Sequence, residues 1–252
     1  MSELQTTGQN KVQVQPNPFE EIGRGAQRPI AGQLMKFSKG EYVAGQENLP
    51  LPMGMRFVVN MDQMLTGWIR WDDNKPAEQV MGLVVEGFVP PKRDTLGYGY
   101  KPGDKEEDAD TTDWEVDEKS GNPRDPWQPT FYLVMRGLDK DDKPLEDELY
   151  TFTTASKGGS DAVKAFCAVY GKWLRFHPDD HPIITIGYDQ YEHSNPQYGW
   201  IKTPQFITGY TSPEQVRQKK KVKLFDPNKD WMPKKQFGDI PLNEQQQDEI
   251  PF

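Results

Sequence analysis

Eight runs rich in β-branched and aromatic residues, interrupted once by a helical segment, constrain the fold of this chain most tightly. The runs are QLMKF (33–37), MRFVVNM (55–61), LTGWIRW (65–71), VMGLVVEGF (80–88), TFYLVMRG (130–137), ELYTFTT (148–154), IITIGYDQY (183–191) and WIKTPQFITGY (200–210). Gly, Pro and Asp bound them, as they bound strands. WDDNKPAE and LDKDDKPLEDE read as turns between paired strands. In SKGGSDAVKAFCAVYGKWLRFHPDD, the apolar residues Val163, Phe166, Cys167, Val169, Tyr170, Trp173 and Leu174 recur at helical spacing. Ser160 is placed to cap that helix and Asp161 to sit in its first turn. Pro178 ends it, which predicts a helix over about 160–176.

From residue 80 the order is strand, strand, strand, helix, strand, strand. A five-stranded Greek-key barrel with its helix between the third and fourth strands is the oligonucleotide/oligosaccharide-binding (OB) arrangement. The expectation is therefore a mainly β, OB-like domain over 31–210, with extra strands from the first half. Residues 1–30 are polar and aperiodic and read as a flexible arm. The stretch 89–129 reads as a long insert, of the length that carries function or disorder. Residues 211–252 read as a disordered tail.

Charge distribution matters more than net charge. The sum is -9, but DKEEDADTTDWEVDEK (104–119) holds nine acids and two lysines. The rest of the chain is nearly neutral, so a local basic groove is compatible with the composition. In the tail, 217–235 hold eight Lys/Arg against two Asp, and 236–252 hold four acids and no base. No apolar run approaches the roughly 20 residues that cross a bilayer, and the first 30 residues lack a signal-type apolar core. The single cysteine, Cys167, excludes an internal disulfide. These features point to a cytoplasmic protein with no membrane partner.

Enzyme signatures are missing. There is no phosphate loop, and GYGYKPG lacks the strand-to-helix setting of a dinucleotide site. HPDDH sets His177 and His181 four apart, but Pro178 breaks the helix and no third ligand stands nearby. Cys167 lies on the apolar helix face, the place of a small hydrophobe rather than a nucleophile. No cofactor and no metal are expected.

Single-stranded nucleic acid demands cations for phosphates and aromatic faces for bases. The strand-like runs and loops interleave the two. MRFVV contributes Arg56, and GWIRW puts Trp68 and Arg70 on one strand face. PKRDTLGYGYKPG sets Lys92, Arg93 and Lys101 around Tyr98 and Tyr100. RDPWQ offers Arg124 and Trp127. SKGGSD offers Lys157 and the backbone N–H groups of a helix start. YEHSNPQYGWIK offers Tyr191, Tyr198, Trp200 and Lys202 at a hairpin that flanks the binding face of an OB fold.

The sequence closes on DEIPF. This resembles the acidic tip of bacterial single-stranded-DNA-binding proteins, with Asp248, Glu249, Ile250, Pro251 and Phe252 matching position by position. In that family the tip docks on replication, recombination and repair enzymes. The chemistry is plain: Phe252 fills an apolar pocket, its carboxylate meets a cation at the rim, and the two acids steer. Here residues 245–247 are Gln where more acids usually stand. The body resembles uncharacterised proteins of tailed phages and mobile elements, in stretches such as PRDPWQPTFYLVMRGL. The resemblance implies single-stranded DNA and replication or recombination proteins as partners, in a bacterial host cytoplasm. The competing expectation is an adaptor or decoy that engages host enzymes through the tip without binding DNA.

Overall fold

A computed structural model describes residues 30–73, 75–117, 121–194, 196–207 and 230–240. Ten strands and one long helix are present among them. The strands are β1 (Gln33–Ser38), β2 (Glu41–Ala44), β3 (Leu49–Leu51), β4 (Arg56–Asp72), β5 (Lys75–Leu83), β6 (Trp127–Leu138), β7 (Pro144–Thr154), β8 (Asp180–Glu192), β9 (Trp200–Ile207) and β10 (Trp231–Pro233). The helix α1 spans Lys157–Trp173, between β7 and β8.

All ten strands belong to one strongly curled, half-barrel sheet of order β10-β8-β4-β6-β7-β1-β2-β3, with β5 added to β4 and β9 to β8. Among the described residues, only the β1–β7 pairing is parallel. Strand β4 carries the curl. Its start pairs with β8 (Arg56↔Thr185 to Val58↔Ile183), and its end pairs with β5 (Leu65↔Leu83 to Asp72↔Lys75). Its other edge follows β6 throughout, except that residues 61–64 stand opposite Leu133 alone. Extra residues on one strand bend it and increase its twist. The two runs expected as separate strands, 55–61 and 65–71, are therefore one bent strand. Tyr42 joins the far ends of the curl: its buried hydroxyl donates to the carbonyls of Gly187 (3.0 Å) and Gln205 (3.1 Å) on β8 and β9.

Alternation along β4 divides the interior. Phe57 and Val59 face inward with Leu133, Met135, Phe152, Ile184, Ile186 and Phe206, and α1 lays Val163, Phe166 and Tyr170 against them. Val58 faces the other way, to a smaller core with Val134, Leu149, Ile183, Met232 and Phe237. The last two correct the sequence reading, which left everything after 210 without structure. Residues 230–240 form β10 and a short turn, pack Met232 and Phe237 to 3% and 2% exposure, and cover that second core. Burying a side chain of this size contributes roughly 2–3 kcal/mol. Arg136, 5% exposed, donates to the carbonyls of Glu146 (2.9 Å) and Asp239 (2.8 Å) and lies over the Phe237 ring, which fastens the segment.

Two further boundaries move. The expected strand 80–88 stops at Leu83, where Val84–Glu86 make a turn closed by Gly87 at φ +76°. The helix begins at Lys157, capped by Ser156, whose hydroxyl accepts from the Gly159 N–H (3.1 Å), not by Ser160. Ser160 is instead buried in the first turn. The early start needs Gly159, because a Cβ there would meet the Thr154 hydroxyl at 1.8 Å. Residues 1–29 and the DEIPF segment lie outside the described residues. No helix among the described residues is long and apolar enough to cross a membrane.

Candidate nucleic-acid interface

A groove crosses the curled sheet from the 84–126 connection to the β8–β9 hairpin. It consists of three adjoining cavities of about 780, 560 and 500 Å³, and Ser156 at the start of α1 lines all three. The first lies beside the insert and is lined by Trp68, Arg93 and Tyr100. The middle one is lined by Arg70, Tyr98, Arg124 and Phe37. The third is lined by Tyr191, Trp200, Lys202 and Lys39.

The insert is folded around Arg93. Its guanidinium takes both oxygens of Asp125 (2.7 Å each) and donates to the carbonyls of Gly97 (2.7 Å) and Tyr98 (3.2 Å). It also lies 4.4 Å from the Tyr100 ring centroid. A planar fork matches a carboxylate in this way and an ammonium does not. Arg93 is thus a structural clamp, and Tyr100 and Trp114 pack beside it and against each other. Arg70 is used similarly. It bonds Glu78 (2.8 Å) and lies over Tyr98, whose hydroxyl donates to the same carboxylate (2.8 Å). The Tyr98 hydrogen bond holds Glu78 below the usual carboxylate range and raises the phenol in turn. Tyr98 itself sits at φ +53° and keeps 48% exposure.

The other sequence-derived residues divide sharply. Trp68 is half-buried, its indole N–H on the Pro91 carbonyl (2.9 Å). Trp127 is 3% exposed, lies edge-on to Tyr98 and lines the first cavity, which leaves little of its ring free for a base. Arg56 lies away from the groove, paired with Asp142 and Asp230. Arg124 faces two cavities, with the Gln128 amide oriented to accept from its guanidinium. Lys92 and Lys101 are exposed but line none of the three cavities. Lys157 is exposed and paired with Asp161 (2.9 Å), again outside the lining. Tyr191, Tyr198 and Trp200 are 50%, 46% and 55% exposed at the hairpin. Lys202 lies over the Tyr188 ring at 4.6 Å.

Sequence reasoning missed the far wall. Lys36, Phe37, Lys39 and Ser156 come from β1, its turn and the helix cap, and no local pattern connects them with the hairpin. Trp114, the lone aromatic of the acidic run, was the available signal that the run folds. It does so beside Tyr98, with its indole N–H on the Tyr98 carbonyl (3.0 Å). The first two cavities together present four Lys/Arg and eight Asp/Glu. The third presents Lys39 and Lys202 and no carboxylate.

Burial pushes the Cys167 thiol up to about 11, so the sulfur is held as a thiol beside Met64. His177 stacks on Trp231 at 4.0 Å between ring centroids and bonds Asp180. No protein-family model matches the sequence, and no curated protein or solved structure is significantly similar to it.

Proposed function

We propose that this protein binds single-stranded DNA along the groove and recruits replication or recombination proteins through residues 248–252, in a bacterial cytoplasm. The observation that carries the reading is the third cavity. It brings together two half-exposed aromatic rings, Tyr191 and Trp200, two lysines and the glycine start of a helix, without a carboxylate. Stacking on such rings contributes about 1–3 kcal/mol per base and is tolerant of sequence.

The connectivity supports an OB-type body. Strands β4, β6, β7, helix α1, β8 and β9 follow one another in the OB order, starting from a long bent strand. In that arrangement β4, not the 80–88 run, is the first barrel strand. The hairpin β1–β2 stands where β7 would otherwise meet β9. The groove then runs between the first-to-second and fourth-to-fifth strand connections, the usual ligand face of that fold. The recruiting role of 248–252 rests on the resemblance of DEIPF to the bacterial tip.

The adaptor reading keeps one observation of its own: the excess of carboxylates in the first two cavities disfavours phosphates there. Fluorescence anisotropy of a labelled dT oligonucleotide, with the whole chain and a form lacking 243–252, separates the two. Salt-sensitive binding that survives truncation supports the DNA reading. No binding by either form at low salt refutes it and leaves the adaptor.

A further inference from the structure

The acidic run is a wall of the groove. Asp110, Asp113 and Glu115 line the middle cavity directly, together with Arg70 and Arg124. Backbone contacts hold Asp110 and Glu115 there, and all three side chains are exposed. The Asp110 N–H donates to the Gly99 carbonyl (2.8 Å), and the Arg124 N–H donates to the Glu115 carbonyl (2.7 Å). Gly99, at φ +91°, makes the approach possible, since a Cβ there would meet the Asp110 carbonyl oxygen at 2.2 Å. Trp114 adds its indole bond to Tyr98 and its place beside Arg93 and Tyr100.

The charges on this wall are not neutralised within it. Asp113 and Glu115 take part in no ion pair among the described residues. The Asp110 carboxylate accepts from the hydroxyl (2.6 Å) and N–H (3.1 Å) of Thr112, which hold it below the usual range and therefore ionised at neutral pH. Meanwhile two of the groove's cations are already committed to protein acids: Arg70 to Glu78, and Arg93 to Asp125. A polyanion thus meets an excess of fixed negative charge over the first two cavities, eight carboxylates against four Lys/Arg, and cations with no carboxylate beside them at the hairpin end.

We propose that the acidic wall is an autoinhibitory element: it holds the inner two cavities against phosphates, so that a strand is seated from the Tyr191–Trp200 end alone. This rests on the single-strand reading. A strand that enters deeper must do so with its backbone turned away from Asp110, Asp113 and Glu115. Three unit charges about 10 Å from a phosphate in water together lower affinity by about tenfold. The effect fades with salt as the screening length falls from about 30 Å at 0.01 M to about 8 Å at 0.15 M.

The test uses the full chain, the variant D110N/D113N/E115Q, and the variant D113N/E115Q, which leaves the Asp110–Thr112 turn intact. A labelled dT oligonucleotide is titrated with each across a salt series. Both variants are expected to bind more tightly at low salt, by about tenfold for the triple change. Their salt dependence is expected to be steeper, because more cations then reach phosphates. Binding by the variants at a salt concentration where the unaltered chain no longer binds supports the wall in its strongest form. Equal affinity overturns the inference and leaves DNA binding standing. Weaker binding by the variants also overturns it, by making the carboxylates ligands for base amines. No binding by any of the three refutes the single-strand reading and the inference with it.

Discussion

Replacing Arg93 with lysine keeps the charge and removes the fork. Were Arg93 a phosphate ligand, Arg93→Lys would change little in the free protein. The structure makes it a clamp with four hydrogen bonds, two to Asp125 and one each to Gly97 and Tyr98, on a side chain only 13% exposed. A lysine ammonium can keep one carboxylate bond and one carbonyl bond, so two charge-assisted bonds are lost. At about 1.5 kcal/mol each, the insert loses about 3 kcal/mol of local stability. Its opening equilibrium rises by about a hundredfold. Amide hydrogen exchange reads this directly at Asp110, bonded to Gly99, and at Trp114, bonded to Thr111 (3.1 Å). Amides of the central strands β4 and β6 should keep their rates, because the insert can open without unfolding the core. A change below threefold at Asp110 and Trp114 refutes the clamp. An equal acceleration in β4 and β6 instead makes Arg93 a support of the whole fold.

Other expectations follow from the same geometry. Trp200→Ala and Tyr191→Ala should each weaken dT binding by about 1–3 kcal/mol without lowering the melting temperature, since both rings are half-exposed; a melting shift with unchanged affinity would contradict the stacking role. Gly159→Ala should destabilise the protein by about 1–3 kcal/mol in urea denaturation, because its Cβ collides with Thr154; wild-type stability would show that the helix start is free to shift. His181 is buried among Asp62, Lys234 and Asp180, and burial pushes its pKa down to about 4 from 6.5. Above pH 6.5 both states are neutral and its contribution is complete. As pH falls from 6.5 to 4 the unfolded chain takes up a proton that the folded one refuses, so stability falls by up to about 3 kcal/mol. His181→Gln should flatten that part of the denaturation free energy against pH; an unchanged profile would assign it to other groups.

The secondary structure was legible where periodicity is local. The seven apolar positions between Val163 and Leu174 mark α1 because one helix face is buried and the other is not. Its start was misread because Ser156 and Ser160 are equally good caps in isolation. What decides between them is the close passage of Thr154 against Gly159, a contact outside the helix. The exposure of the hairpin aromatics was legible for a related reason: Tyr198 and Trp200 lie in a polar, glycine-containing turn, and about half of each ring stays exposed. The cations were not legible. Arg56, Arg70 and Arg93 look alike in sequence, yet the carboxylates they hydrogen-bond come from 8 to 174 residues away. Residues 230–240 were invisible for the same reason, since Met232 and Phe237 find their burial against β4, β6 and β8.

A mainly β chain with one amphipathic helix, the turns between its strands and the concentration of acid in one insert can all be read along the chain. Each of these follows from short-range chemistry: side-chain period, backbone freedom and charge count. Folding settles the rest: β4 is a single bent strand shared by β8 and β5, Tyr42 ties the two ends of the curl, and Asp110, Asp113 and Glu115 form a wall of the groove. Those outcomes depend on which distant groups compete for the same hydrogen bonds and buried space. That competition is settled in the folded chain and leaves no periodic mark along it.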